Sequence, residues 1–452
     1  MMQNKTPRAS IYTLGCKVNQ YESEAIAEAL VKKGFVIVPF EEEAEVAVIN
    51  TCTVTAESDR KGCQMIRRAA GRENHPFVIV TGCLAQSQAE RVAAIPGVSY
   101  ICGSRNKLSC ADAAARYLET GVFPEQPEVC VFDTDSRCFE EMHITRSERT
   151  RAYIKIEDGC ENRCTYCAIP GARGKVVSRE PEAVLAEMRV LAENGYREIV
   201  LTGIETASYG ADFTGERKGY RLVDLLEEAD KIPFVERIRL GSLEPTYMKP
   251  ETVSRLAALK HLAPHFHLSL QSGADHVLHL MKRKYNMRQL RSILADIREK
   301  IPDVMFTTDV MTGFPQETEE DFNETLAFAR EARFLHIHVF PYSRRENTPA
   351  DRMDGQLSNE EKNRRANSLI AEDRKIAAEL YRAAAEKGGE VLFLAETLRE
   401  DGTLVGHTAN FMEVHVSGMP TAENGLRSMC RVKIVGAGEN FLYGEPTGEQ
   451  KT

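Results

Sequence analysis

Cys160, Cys164 and Cys167 stand in the run Gly159-Cys-Glu-Asn-Arg-Cys-Thr-Tyr-Cys-Ala-Ile-Pro170. Three thiolates so closely spaced on one loop suit three corners of a cubane 4Fe–4S cluster. No fourth cysteine follows within the loop. One iron is then left for a substrate or cofactor, whereas a purely structural site is more often closed by four protein ligands. A zinc site completed by a distant residue and plain buried thiols are the competing readings of the same spacing. Tyr166 and Ile169 add bulk around such a centre and limit solvent.

The surrounding pattern says which elements must position that loop. Candidate strands Ala152–Ile156, Glu198–Thr202, Arg237–Gly241, His265–Leu270, Met305–Val310 and His336–Phe340 alternate with helical stretches such as Pro181–Asn194 and Thr318–Ala332. Six βα units in about 190 residues predict a full or partial parallel barrel, with its chemistry where the strands end. The cysteine loop follows the first of them. Upstream, Ser10–Leu14, Val46–Asn50 and Phe77–Thr81 read as buried strands around a helix at Asn19–Lys33, which predicts a small doubly wound α/β domain. Cys16, Cys52 and Cys83 each fall at or just after one of those strands, although 36 and 31 residues separate them. The carboxyl ends of a doubly wound sheet converge on one edge, so the three can meet there. Arg364–Lys387 reads as a long charged helix leading out of the barrel. Val391–Ala395, Leu404–Thr408, Glu413–Val416 and Cys430–Val435 read as short strands of a small antiparallel β-barrel.

The expected division is 1–125 for the first α/β domain, 126–145 for a linker or edge element, 146–376 for the barrel and 377–446 for the last domain. About three domains suit 452 residues at roughly 150 each. A net charge of −9 gives no bulk basic field for nucleic acid. The start MMQNKTPRAS lacks the apolar core of a signal peptide. No apolar run approaches the roughly 18 residues of a membrane span. We therefore expect a cytoplasmic protein, with its 12 cysteines reduced and free for metals. Cys63, Cys102, Cys110, Cys130, Cys138 and Cys430 fit no tight ligand spacing and read as free thiols, with no second ligand beside Cys102.

At the C-x3-C-x2-C run the chain resembles the radical S-adenosylmethionine enzymes. Tyr12-Thr-Leu-Gly-Cys16-Lys-Val-Asn-Gln-Tyr-Glu22, Asn50-Thr-Cys52-Thr-Val-Thr55 and Thr81-Gly-Cys83 are similar to the methylthiotransferases among them. The resemblance is to the bacterial branch acting on threonylcarbamoyladenosine in tRNA. The branch acting on isopentenyladenosine is the alternative, and a non-catalytic iron–sulfur redox sensor that binds RNA is an alternative of another class. The last domain resembles the TRAM RNA-binding barrel through Gly406-His-Thr-Ala-Asn410-Phe411 and Glu413-Val-His-Val416.

The resemblance implies two 4Fe–4S clusters and S-adenosyl-L-methionine. Cys160, Cys164 and Cys167 would serve radical generation, and Cys16, Cys52 and Cys83 an auxiliary cluster for sulfur insertion. One S-adenosylmethionine would yield the radical and another the methyl group. The product would carry a methylthio group at C2 of the adenosine next to the anticodon. Partners would be a tRNA anticodon stem-loop and a flavodoxin- or ferredoxin-type electron donor, with no membrane. Candidate cofactor contacts at strand ends are Gly203, Glu205, Ser242, Gln271 and Asp309, with Glu205 facing the cofactor's ammonium. Arg173-Gly174 is a family-like pair whose plain reading is a turn with a salt-bridged arginine.

Phosphate neutralisation needs clustered Lys and Arg. Candidates are Arg60, Lys61, Arg67, Arg68 and Arg72; then Arg146, Arg149 and Arg151; then Lys282-Arg283-Lys284 and Arg344-Arg345. From Glu386 to Thr452 there are 6 Lys/Arg against 10 Asp/Glu, so the last domain offers at most a local patch at Arg427, Arg431 and Lys433. Phe411 reads either as a stacking face for a base or as core.

Overall fold

The computed structural model describes residues 6–418 and 426–447; the first five residues of the amino-terminal stretch discussed above lie outside them. The amino-terminal sheet has six strands in the order Val36–Val38, Arg8–Thr13, Val46–Thr51, Phe77–Gly82, Val98–Cys102, Glu128–Cys130. Every pairing in it is parallel. Val46–Thr51 and Phe77–Gly82 are buried at every position, so they read as continuous apolar runs rather than alternating ones. The chain begins in the second strand, steps to the edge, and returns past its start. Winding therefore reverses between Arg8–Thr13 and Val46–Thr51, and in such sheets ligands bind outside the strand ends at that reversal.

Residues 126–145, expected as linker or edge element, supply the edge strand Glu128–Cys130. They then run onto the barrel, where Met142 and Ile144 are buried in its core. The barrel strands follow as Ala152–Lys155, Glu198–Thr202, Arg237–Leu240 continued by Ser242–Leu243, His265–Gln271, Met305–Thr312 and His336–Pro341. Their pairings are parallel throughout, in two adjoining sheets that divide at Gly241. Ile199, Leu201, Ile238, Leu240, Phe266 and Leu268 point outward into the core formed with the helices. Alternate residues face the interior, and in this barrel they are mostly polar.

The long helix runs Asn359–Lys387 and starts earlier than the charge pattern indicates. Ser358 caps it by accepting a hydrogen bond from the Glu361 N–H at 3.1 Å. The last domain is a closed barrel of Glu390–Leu398, Leu404–Thr408, Glu413–Val416, Leu442–Pro446 and Met429–Ala437. Leu442–Pro446, not expected from the sequence, pairs parallel with Glu413–Val416 and closes the ring.

Candidate active site

Cys16, Cys52 and Cys83 take their places from local geometry at three neighbouring strand ends. Cys16 is the N-cap of helix Lys17–Lys32, Cys52 follows Val46–Thr51, and Cys83 opens helix Cys83–Ser87. Gly15 has φ +104°, and a Cβ there would stand 2.9 Å from Cys52 Sγ. Asn19 Nδ2 ties the two loops together by donating to the carbonyls of Leu14 (2.7 Å) and Thr51 (2.9 Å). Burial pushes the Cys16 thiol up, and it pushes Cys52 up to about 12. Both also feel the Cys83 sulfur and Arg173, which places the three sulfurs in one neighbourhood.

Arg173 joins this set to the other. Its Nε donates to Cys83 Sγ at 3.2 Å, Nη2 to Asn19 Oδ1 at 2.6 Å, and Nη1 to Asp158 Oδ2 at 3.1 Å. Both Nη atoms grip the Glu22 carboxylate, at 2.6 and 3.0 Å. Lys155 reaches Glu22 and Asp158 at 2.8 and 2.7 Å, and Lys107 also pairs with Glu22. Against the cost of burial, Arg173 and the two lysines hold Glu22 well below the usual carboxylate range. Arg105 stands 3.8 Å from Asp158. Four buried cations thus share two carboxylates. Such an excess is costly unless negative charge meets it, and thiolates bearing an iron–sulfur cluster are negative. The donor set therefore fits that group.

The C-x3-C-x2-C loop is anchored from several sides. Cys160 N–H donates to Gly174 O (3.0 Å), and Thr165 N–H to Met281 O (3.2 Å). Ala350 N–H donates to Thr165 O at 2.9 Å. Arg283 Nη1 lies 3.4 Å from Cys164 Sγ, while its Nη2 donates to Glu244 (2.6 Å) and to Ser269 O (2.7 Å). Burial pushes Cys160 up and lifts Cys167 to about 11. Tyr166 packs edge-on against Phe314 at 6.5 Å.

Beside the loop, Glu205 is pushed up to about 7 by burial and by the charge of Glu244. Glu157 Oε2 accepts from the Glu205 N–H at 2.9 Å, and Oε1 has no partner among the described residues. A Cβ on Gly203 would stand 2.5 Å from Glu157 Oε2, so the missing side chain there makes room for Glu157. Gln271 is buried with φ +73° at the end of its strand. Ser242 opens the short continuation Ser242–Leu243. A cleft of about 460 Å³ opens beside Glu205, Glu244 and Asn162. Asp309 lies deeper than a strand end, because its strand continues to Thr312. It meets His267 Nε2 at 3.1 Å. His267, Asp309 and His338 bring one ligand atom each within 4.8 Å of one another.

Several basic residues expected on the RNA face are internal. Arg283 serves the cysteine loop. Arg345 donates to Thr53 (2.6 Å) and Asp59 (2.8 Å), tying barrel to amino-terminal domain. Arg151 pairs with Glu198 and Glu396. Arg60 pairs with Glu57, Arg72 lies over Phe40, Arg344 pairs with Asp351, and Arg427 donates to Ser147 O. Phe411 is no open stacking face, since His265 and His407 stack on it at 4.6 and 4.7 Å. Of the other cysteines, Cys102 does have a sulfur neighbour: Cys110 Sγ lies 3.2 Å away. Apart from Arg60 with Glu57 on one helix, these pairings leave no sign in the sequence, because each partner lies on another element.

Two family models match the chain: Radical SAM superfamily over residues 154–329 and Uncharacterized protein family UPF0004 over 8–103. The chain is 39% identical over 444 residues to the threonylcarbamoyladenosine tRNA methylthiotransferase MtaB of Bacillus subtilis (strain 168), covering 96% of this chain and 95% of that one. It is 33% identical to a tRNA-2-methylthio-N(6)-dimethylallyladenosine synthase of Clostridium botulinum (strain Alaska E43 / Type E3), covering 96% and 94%. Among solved structures it is similar in fold to the radical S-adenosylmethionine methyltransferase TsrM of Kitasatospora setae, with TM-score 0.56 and 16% identity over 77% of each chain.

Proposed function

The chain belongs to the radical S-adenosylmethionine tRNA methylthiotransferases, and on that premise we propose that it replaces the C2–H of N6-threonylcarbamoyladenosine in tRNA by C2–S–CH3. Adenine C2 is not acidic and carries no leaving group, so polar catalysis has nothing to work on. When bound, a 4Fe–4S cluster with S-adenosylmethionine would supply a radical, a second cluster sulfur, and a further S-adenosylmethionine the methyl group. The chain's own part is to hold these groups against one another. Cys160, Cys164 and Cys167 would hold the first, and Cys16, Cys52 and Cys83 the second.

The observation that carries this reading is Arg173. It ends the short helix that follows the C-x3-C-x2-C loop and donates to Cys83 of the other set, so the segment carrying one set is tied directly to the other. Glu205 would accept the ammonium of S-adenosylmethionine. An acid lifted to about 7 by burial and Glu244 is ionised by a cation placed beside it. Gln271 and Ser242 stand at the same barrel mouth, while Asp309 lies too deep to share that role and faces the interior. Reductive cleavage of S-adenosylmethionine would draw an electron, which a flavodoxin- or ferredoxin-type donor would bring. No helix among the described residues is long and apolar enough to cross a membrane, and a tRNA substrate would place the protein in the cytoplasm.

Anaerobic reconstitution tests the proposal. It is expected to give about eight irons per chain, with formation of 5′-deoxyadenosine from S-adenosylmethionine. Nucleoside mass spectrometry of tRNA from a deletion strain should lack the methylthio form of threonylcarbamoyladenosine. Loss confined to the isopentenyl nucleoside would move the substrate to the other branch.

A further inference from the structure

The floor of the barrel holds cations that neither cysteine set uses. In Arg237–Leu240 the apolar side chains Ile238 and Leu240 pack outward, so Arg237 and Arg239 turn inward. Both end on Glu198, at 2.8 and 2.7 Å, and Arg151 stands 3.5 Å from the same carboxylate. Glu396 of the last domain also pairs with Arg151. Phe411 closes the floor, with Arg151 and Arg239 at 5.1 and 4.8 Å from its ring centre. Lys17, exposed at the first turn of helix Lys17–Lys32, lies within reach of the charges of Arg151, Arg239 and Asp309 and has no hydrogen-bond or ion-pair partner among the described residues.

Four cations, Lys17, Arg151, Arg237 and Arg239, therefore meet three carboxylates, Glu198, Glu396 and Asp309. Two buried nitrogens are also left over: Arg239 Nη1, and His265 Nδ1, which donates in the tautomer whose Nε2 accepts from Thr307 Oγ1, have no partner among the described residues, with Arg239 2% and His265 4% exposed. A guanidinium N–H can only donate, and leaving it unpaired in the interior is costly. One bound anion would correct both the charge and the donors. Arg239 lies three residues before Ser242, about 10 Å below the barrel mouth. That is a side chain's depth beneath the place where the reacting base would lie.

We propose that this floor is a subsite for the carboxylate on the N6 side chain of the substrate base, with Arg239, His265 and Lys17 as its donors. The inference rests on the threonylcarbamoyladenosine reading and supplies its physical basis. A threonylcarbamoyl group carries a carboxylate, whereas a dimethylallyl group is a hydrocarbon and would leave every one of these donors unpaired.

The test uses reconstituted full-length protein and synthetic anticodon stem-loop RNAs bearing threonylcarbamoyladenosine as the free acid or as its methyl ester. Fluorescence anisotropy without S-adenosylmethionine reads binding, and methylthiolation reads kcat/KM. The free acid is expected to bind at least about tenfold more tightly than the ester. In Lys17→Gln and in Arg239→Gln that ratio falls toward one. Equal binding of acid and ester by the unaltered protein overturns the subsite and leaves the substrate assignment standing. So does a ratio that survives in both variants, with melting midpoints showing them folded. Methylthiolation of a dimethylallyladenosine stem-loop, with the threonylcarbamoyl one untouched, overturns the substrate assignment itself. The ester comparison needs no variant, so a variant that fails to fold leaves the question decidable.

Discussion

Arg173 ties the helix after the C-x3-C-x2-C loop to Cys83, and its role is geometric as well as electrostatic. Its fork meets Glu22 with both Nη atoms while Nε holds Cys83. Arg173→Gln would leave Glu22 and Asp158 in the interior with fewer cations, a loss of about 3–5 kcal/mol for a broken buried network. Iron after reconstitution is then expected to fall from about eight to about four as the auxiliary site fails, and Arg173→Lys should not restore it, because a lysine cannot fork. Iron assay and thermal unfolding read both effects. A second residue-scale prediction concerns Glu24, which accepts from Ser147 Oγ at 2.7 Å and is pushed up to about 7 by burial. Its folded state holds a proton that the unfolded state, near 4.5, releases first. Stability contributed by this group is therefore full below pH 4.5 and declines as pH rises toward 7. Glu24→Gln is expected to stabilise the protein at pH 8 by on the order of 1–2 kcal/mol, reduced because the site is only partly buried. Denaturant melts at pH 8 and pH 4.5 should show that gain at the higher pH alone. The cysteines were legible in the sequence because ligand spacing on one loop, and strand ends on one sheet edge, are local facts. Arg283 and Arg345 read as surface charge because nothing near them in sequence reveals Cys164, Glu244, Thr53 or Asp59 as partners.

At the level of elements, the auxiliary set is a product of tight turns at the sheet's reversal. Gly15 at φ +104° brings its loop so close to Cys52 that a Cβ would stand 2.7 Å from Cys52 Cβ. Gly82 at φ +97° lies against the backbone of Thr51, where a Cβ would come to 2.3 Å from the carbonyl oxygen. Gly15→Ala is expected to cost about 1–3 kcal/mol through the left-handed backbone and the displaced cysteine. Its separable effect is on the metal: iron held by Cys16, Cys52 and Cys83 is expected to be lost, while 5′-deoxyadenosine formation, assigned by the proposal to Cys160, Cys164 and Cys167, is expected to persist. Loss of both together would mean that the turn supports the whole molecule rather than the auxiliary site. The long apolar strands were legible as elements because buried parallel strands are short continuous apolar runs with turn residues at their ends. Leu442–Pro446 was not, because it is short, polar on alternate positions and contains Gly444 and Pro446. Only the ring shows why Gly444 belongs there, since a Cβ added to it would stand 3.1–3.2 Å from Val414, Val416 and Val432.

At the scale of the whole molecule, an acidic chain must hold an anionic RNA with few exposed cations. The structure takes Arg151, Arg283 and Arg345 off the surface and into ion pairs. Of the candidate cations, Arg67, Arg146, Arg149, Lys282, Lys284 and Lys433 remain exposed and have no ion-pair partner among the described residues. With about six phosphate contacts, the slope of log K against log salt should be moderate, near −4 on a single-stranded loop at roughly 0.7 per contact. Alanine at Arg67, Arg146 or Lys282 should then flatten the slope by about that single step and weaken every stem-loop alike. Replacing Arg283 should leave the slope alone and lower 5′-deoxyadenosine formation instead, because its guanidinium serves Cys164 and Glu244. A slope several-fold steeper would mean that a basic surface elsewhere carries the RNA. A moderate one would leave recognition to the buried floor, where charge acts in a low dielectric and salt screens little. Selectivity for the side chain would then persist at ionic strengths that abolish general tRNA affinity. Titrating the acid and ester stem-loops at 50 mM and about 300 mM salt reads both quantities, with overall affinity expected to fall and the ratio between the two ligands to hold.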